Sequence, residues 1–378
     1  MPSQPEKKIV ISGTGLFTPP ESISNEELVV SFNTFVSRYN QKHHREIESG
    51  DLEPLQESSV AFIEKASGIK NRYVMEKKGI LDPERMCANI PERPDSEPSI
   101  QCEMAVEAIT EALARADKKP GDVDAVIVSC ANMQRAYPAM AIEIQNALGI
   151  EGFAFDMNVA CSAATFAIQT AVDSVKSGSA DCVVMVNPEI CTGHLNFRDR
   201  DSHFIFGDVC TAMVIENAKT CTAKKVYRIL GTKLITRFSS NVRNNFGFLN
   251  RTDETGIGKP DKLFTQNGTR VFKEVIPIAA QLIKSHLEEL DIPVSSAKRL
   301  WLHQANINMN NFVAEKVLGR KPTPEEAPVV LDEYANTASA GSIIVFHKYN
   351  DDMNEGDIGV ICSFGAGYSA GSVIVKKV

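Results

Sequence analysis

The chain has 378 residues, a formal net charge of −8, 43% hydrophobic and 23% charged residues. That is enough apolar material for a sizeable core, which excludes general disorder, and the length suits one large domain or two of about 150–200 residues. No apolar run approaches the roughly 18–20 residues a membrane span needs, Met1 to Lys8 reads as leading into a strand and not as a signal peptide, and the acidic balance argues against general nucleic-acid binding.

Strands and helices alternate along most of the chain, which predicts an α/β fold. Residues 9–17 read as a strand, 100–117 as a helix with apolar residues at helical spacing, 123–130 as a buried strand, 139–148 as a short helix and 154–158 as a strand. Residues 162–176 predict a helix of small and apolar side chains, followed by buried strands at 182–186 and 211–215. A similar order then recurs: helix 269–290, strand 299–303, helices 308–318 and 337–349, strands 358–362 and 372–376. DVDAVIVSCAN (122–132) lines up with SAKRLWLHQAN (296–306), and 161–186 with 336–361 in pattern. This predicts a duplication into halves 1–218 and 219–378, with the related helices at the centre. Two segments break the pattern and read as surface insertions or lids: the charged stretch 37–58 with His43 and His44, and the proline-rich stretch 79–99.

Nine cysteines, an odd number with no C-x-x-C pair, argue against structural zinc and thioredoxin-type chemistry. Reduced thiols and a cytoplasmic location are the expectation. Cys161 differs from the other eight. It follows a strand, lies among Ala160, Ser162, Ala163 and Ala164, and opens a helix, whose positive end and free N–H groups favour a thiolate. His303 ends a predicted strand, where α/β active sites gather. Asn336 is read as the duplication's counterpart of Cys161, its amide free to donate. The run from Ser363 to Gly371 is rich in glycine, but only one strand follows it, so no nucleotide-binding βαβ unit can be built. Its glycines suit a close approach of backbone to a reacting group, while Gly13 and Gly15 read as turn residues.

These residues together resemble the β-ketoacyl-[acyl-carrier-protein] synthase III family, on NVACSAATFA (158–167), DRDSHFIFGD (199–208), NGTRVFK (267–273), LHQANINM (302–309), NTASAGS (336–342) and SFGAGYSAGSVIV (363–375). The resemblance implies a thiolase-like α/β fold, two duplicated halves forming a layered αβαβα core, and the catalytic set Cys161, His303 and Asn336. It implies an acyltransferase of fatty-acid synthesis that condenses an acyl-CoA primer with malonyl-[acyl-carrier protein] through an acyl-cysteine. Backbone N–H groups of Cys161 and Ala366 would form the oxyanion hole. Arg200, Asn306, Gly268, Thr269, Phe364 and Phe62 would contact coenzyme A, with Phe62 in the place of an adenine-stacking tryptophan. Tyr137 would reach across a homodimer into the partner's acyl pocket. No metal or other cofactor is implied.

The chain also departs from the family. Ala66 and Asn308 stand where familiar members carry arginine, FGDVC replaces FGDGA, and segment 37–58 is not typical. These departures predict a medium-chain primer in a channel roofed by the insertions. Lys273, Lys316, Arg320 and Lys321 are candidates for docking the acidic carrier.

Rival readings share parts of this pattern. A thiolase would need a second cysteine by the C-terminal glycines, but Ser363 and Phe364 set Cys362 one residue too far from Gly365, and Asn336 takes a histidine's slot. A hydroxymethylglutaryl-CoA-type synthase needs a catalytic glutamate, for which no candidate stands out. A papain-like hydrolase has the same Cys, His, Asn order without its motif here, and intact triad positions disfavour a degenerate scaffold.

Overall fold

The computed structural model describes residues 7–94, 96–244, 254 and 263–378; the reading of Met1 to Glu6 lies outside them. The strands are β1 (Ile9–Phe17), β2 (Glu21–Ser24), β3 (Asn71–Val74), β4 (Ala125–Ser129), β5 (Phe153–Met157), β6 (Cys182–Ile190), β7 (Asp208–Asn217), β8 (Tyr227–Ser239), β9 (Val242–Asn244), β10 (Phe264–Gln266), β11 (Ala297–Leu302), β12 (Ile358–Gly365) and β13 (Gly367–Lys377). The helices are α1 (Asn25–Lys42), α2 (His44–Glu48), α3 (Val60–Ser67), α4 (Lys78–Leu81), α5 (Ile100–Ala116), α6 (Met140–Leu148), α7 (Ala163–Ser177), α8 (Gly268–Glu289), α9 (Ile307–Leu318), α10 (Leu331–Tyr334) and α11 (Gly341–Lys348).

Nine strands form one hydrogen-bonded sheet in the order β11-β12-β13-β8-β1-β7-β6-β4-β5. Each side reads alike outward from the β1–β8 junction: a long antiparallel strand (β7 or β13), then a buried one (β6 or β12), then a parallel neighbour (β4 or β11). The period-2 alternation of strands builds the layers. Val183 and Met185 of β6 face the apolar cluster that holds α7 and α11, while Val184 and Val186 face the one under α5 and α6. On the other side, Ile361 and Val373 face the α7–α11 cluster, and Val360 and Ile374 face α8 and α9. Helices, sheet, central helices, sheet and helices therefore stack in the expected αβαβα order.

One expectation needs correction. Gly13 and Gly15 are not turn residues; they lie inside β1, where α5 presses on the strand. A Cβ on Gly15 would stand 1.9 Å from the Ala108 carbonyl oxygen, and one on Gly13 2.1 Å from that of Ala112. Neither obstacle is a side chain that can swing away, so Gly15→Ala is expected to cost about 3 kcal/mol in urea unfolding. Segment 37–58 is built onto α1. Its first six residues continue α1, and its return is laced to that helix by two asparagines. Asn33 exchanges bonds of 3.0 and 2.8 Å with the Ser58 backbone, and Asn40 two of 2.9 Å with that of Leu55.

Candidate active site

Cys161 sits in a tight turn, Ala160–Ser162, that opens α7. The turn is shaped locally: Ala160 takes a left-handed φ of 46°, and its N–H donates to the Asn158 side chain at 3.0 Å. The same device recurs at Ala338–Ala340, ahead of α11. There Ala338 has φ 47°, and its N–H donates to the Asn336 Oδ1 at 2.9 Å. The two turns pack against each other. This fixes the register of the duplication and corrects it by three residues. Asn336 corresponds to Asn158, and the counterpart of Cys161 is Ser339.

With its oxygen committed to Ala338, the Asn336 amide keeps its N–H groups without a partner among the described residues. The Asn336 backbone is pinned on both sides, donating to Ile205 O at 3.0 Å and accepting from Gly207 N–H at 3.1 Å. His303 follows β11. Its backbone N–H donates to Cys362 O at 2.8 Å, and its ring meets Phe364 edge-on at 5.3 Å. Glycine at 365 is what lets β12 pass the thiol, since a Cβ there would lie 2.5 Å from the Cys161 Cβ.

Cys161, His303 and Asn336 line one cavity of about 200 Å³, together with Asn306, Gly268, Phe364 and Ala366. Asn306 caps α9, its Oδ1 accepting from Met309 N–H at 2.8 Å. Phe204, Ile205 and Phe206 form one wall, and Val242, Phe264 and Gln266 of the antiparallel β9–β10 pair another. Sequence reasoning missed these walls; the apolar run in DSHFIFGD was the only signal. None of the described residues of 37–58 or 79–99 lines the cavity, so the insertions do not roof it.

Other expected contacts are placed differently. Arg200 and Phe62 lie just outside the cavity lining: the guanidinium rests 4.1 Å above the Phe62 ring and donates to Glu57 O at 2.7 Å, while Phe62 meets the wall residue Phe204 edge-on. Thr269 is exposed on the first turn of α8 and does not line the cavity. Tyr137 is 85% exposed and also stands outside it. Arg320 is exposed and paired bidentately with Glu326.

The electrostatics overturn the expected thiolate. Burial pushes the Cys161 thiol up to about 12, reinforced by the Glu189 carboxylate and only partly opposed by the N–H groups of Ala366 and of Cys161 itself. Burial also holds His303 down at about 4, with the Ala338 backbone opposing. The resting pair is therefore a neutral thiol and a neutral imidazole. Among the described residues, no group of three or more His, Cys, Asp or Glu is placed to hold a metal, and no helix is long and apolar enough to cross a membrane.

The family model for 3-oxoacyl-[acyl-carrier-protein] synthase III matches residues 155–237, and that for its C-terminal part matches 287–377. The chain is similar to the β-ketodecanoyl-[acyl-carrier-protein] synthase of Pseudomonas aeruginosa, 61% identical over 347 residues, covering 92% of this chain and 99% of that one. In fold it is similar to 3-oxoacyl-[acyl-carrier-protein] synthase III from Aquifex aeolicus, with a TM-score of 0.75, 23% identity and coverage of 97% and 99%. It is also similar to the priming β-ketosynthase of the R1128 polyketide pathway, with a TM-score of 0.77, 21% identity and coverage of 99% and 98%.

Proposed function

The chain belongs to the β-ketoacyl-[acyl-carrier-protein] synthase III family, and from that premise we propose that Cys161, His303 and Asn336 extend a medium-chain acyl group by two carbons. It is a condensing acyltransferase of fatty-acid synthesis with a thiolase-like fold. The observation that carries the site assignment is the convergence of the thiol, imidazole and carboxamide on one cavity, with two backbone N–H groups acting on the sulfur.

The reaction runs in two halves. The Cys161 thiol attacks the thioester carbonyl of acyl-CoA while its proton passes to neutral His303 and then to the departing CoA sulfur. The N–H groups of Cys161 and Ala366 receive the oxyanion, each such donor being worth about 3 kcal/mol. Malonyl-[acyl-carrier protein] then enters. His303 and Asn336 donate to its thioester carbonyl, which becomes an enolate as carbon dioxide leaves. The resulting carbanion attacks the acyl-cysteine, the C–S bond breaks, and the released thiolate takes up one proton from solvent, which the overall reaction consumes. No step requires a metal or redox cofactor.

The primer length follows from product arithmetic. A β-ketodecanoyl product carries ten carbons, two from the malonyl unit, so the 61% identical relative's name implies an eight-carbon primer, and we assign the same to this chain. Arg200, Phe62, Asn306, Gly268 and Phe364 are assigned to coenzyme A and its pantetheine arm, with Thr269 at the mouth. Lys273, Lys316 and Lys321 are assigned to the acidic carrier. The halves are taken as 1–218 and 219–378, and the compartment as cytoplasm. A second copy is placed on the free edge of β5, where Phe153, Ile142 and Tyr137 are exposed, which would carry Tyr137 to the partner's pocket. Intact-protein mass spectrometry after mixing with equimolar acetyl-, butyryl-, octanoyl- and lauroyl-CoA tests the primer. The octanoyl adduct is expected to dominate; acetyl-CoA outcompeting octanoyl-CoA would reject the assignment.

A further inference from the structure

Glu189, at the end of β6, is a buried carboxyl that the proposed reaction does not use. It gathers donors from three separate segments. Its Oε1 accepts from Ala131 N–H at 3.0 Å, from Ser339 N–H at 3.1 Å and from the Ser339 hydroxyl. Its Oε2 accepts from Ala131 N–H at 3.1 Å and, weakly, from the Cys191 thiol at 3.8 Å.

The duplication gives these contacts a meaning. When 122–132 is laid on 296–306, Val128 falls on Leu302. Their strand partners are Val186 and Cys362, so Glu189 falls on Gly365. Ser339 falls on Cys161, as the two turns show. The pair Gly365–Cys161 thus has a mate, Glu189–Ser339, in the other half. At one site the missing side chain leaves room for a reactive sulfur. At its mate the room is filled by a carboxyl that grips a serine.

We propose that Glu189 is a positioning residue for the condensation step: by clamping Ser339 it holds the 336–340 turn, and so sets the Asn336 amide that receives the malonyl thioester carbonyl. The link is short. Ser339 directly follows Ala338, whose N–H orients Asn336 Oδ1 and whose backbone acts on His303. Losing the Ser339 bonds frees this turn directly, while the Cys161 turn keeps the Ser162 hydroxyl on Ser369 O at 2.8 Å and Asn158 on Ala160 N–H. Asn158 also donates to Ala131 O at 2.7 Å, and Glu189 holds Ala131, so Ser339→Ala, which leaves Ala131 held, separates the two turns more cleanly than Glu189→Ala. This inference rests on the roles given above to His303 and Asn336.

The test compares Glu189→Ala, Glu189→Gln and Ser339→Ala in the full-length protein. Octanoyl transfer from octanoyl-CoA to Cys161 is read by intact mass, and condensation with malonyl-[acyl-carrier protein] by product formation. Glu189→Ala is expected to lower kcat for condensation about tenfold or more, with KM for the malonyl thioester and the rate of acyl transfer within about threefold of wild type. Glu189→Gln should restore condensation to within about threefold, because an amide oxygen at the Oε1 position keeps both Ser339 bonds. Ser339→Ala should fall between them, and it carries the test if Glu189→Ala does not fold. Two results would overturn the proposal: full condensation by both Glu189→Ala and Ser339→Ala, or equal loss of acyl transfer and condensation in them. Asn336→Ala with full condensation would instead overturn the site assignment, in a background where Glu189 is intact.

Discussion

Serine at position 161 takes no acyl group from any acyl-CoA, and condensation falls by roughly a factor of 10⁴ or more; this is the expected result of Cys161→Ser. The change keeps nearly the same shape, so a failure to react reports chemistry and not packing. In the buried site even the thiol lies at about 12, and the nearest base assigned to it, His303, lies at about 4. A hydroxyl, several units weaker as an acid than a thiol, cannot pass its proton to so weak a base at a useful rate. The same two values predict a pH profile. Between about pH 5 and about pH 9 neither group changes its charge, so acylation of the wild type by octanoyl-CoA should be flat across that window and fall below it as His303 protonates. A steep rise through pH 8 would instead mean that a free thiolate attacks. An adduct retained by Cys161→Ser would place the nucleophile elsewhere; Cys87 is the exposed alternative and Cys221 the half-exposed one.

The strands that pack on both faces were legible because burial writes a continuous apolar run: 9–17 matches β1 at both ends, and β4, β6, β11 and β12 lie where VDAVIVSC, CVVMV, RLWLH and IGVIC put them. β8 was not legible. It runs 13 residues beside β13, yet Arg228, Lys233 and Arg237 interrupt its apolar positions and residues 236–238 are exposed. The duplication was legible and its register was not. Small-residue helix starts look alike, so Asn336 was laid on Cys161. The anchor that sets the register is Asn-x-Ala with a left-handed alanine, and that shows only in φ and in the side-chain bond to the alanine N–H.

The site divides the same way. Three residues separated by 142 and 33 positions converge because each follows or opens an element at one end of the layered core, which strand and helix patterning can convey. The cavity walls come from a loop at 204–206 and the β9–β10 strand pair, whose composition does not tell which way the phenylalanines point. The thiol's acidity was misjudged for a different reason. A helix N-terminus lowers a pKa by a modest local field, and the desolvation of a partly buried sulfur outweighs it. Only the fold reveals how dry the position is.

The second large effect separates the two half-reactions. Asn336→Ala is expected to accept an octanoyl group on Cys161 at close to the wild-type rate and then condense about 10²–10³ times more slowly, the loss expected when one donor to a developing oxyanion is removed. His303→Ala should lose at least as much in condensation and also slow acylation, because only His303 is assigned a proton-transfer role. The asymmetry has a structural basis. The Asn336 amide oxygen is held by Ala338 N–H, so the side chain can offer donors but no base. The His303 ring is neutral, and a neutral imidazole has one nitrogen that can accept a proton and one that can donate. Asn336→Asp should be worse than Asn336→Ala, since a carboxylate beside the enolate repels the charge that the amide would stabilise. The double variant His303→Ala with Asn336→Ala should lose less than the product of the single losses, because both donors bind one oxygen. Rapid-mixing mass measurements of the acyl-enzyme, followed by malonyl-[acyl-carrier protein] and product detection, read both steps in one sample. Equal loss of acylation in the Asn336 and His303 variants would mean that the two side chains serve the thiol and not the malonyl carbonyl.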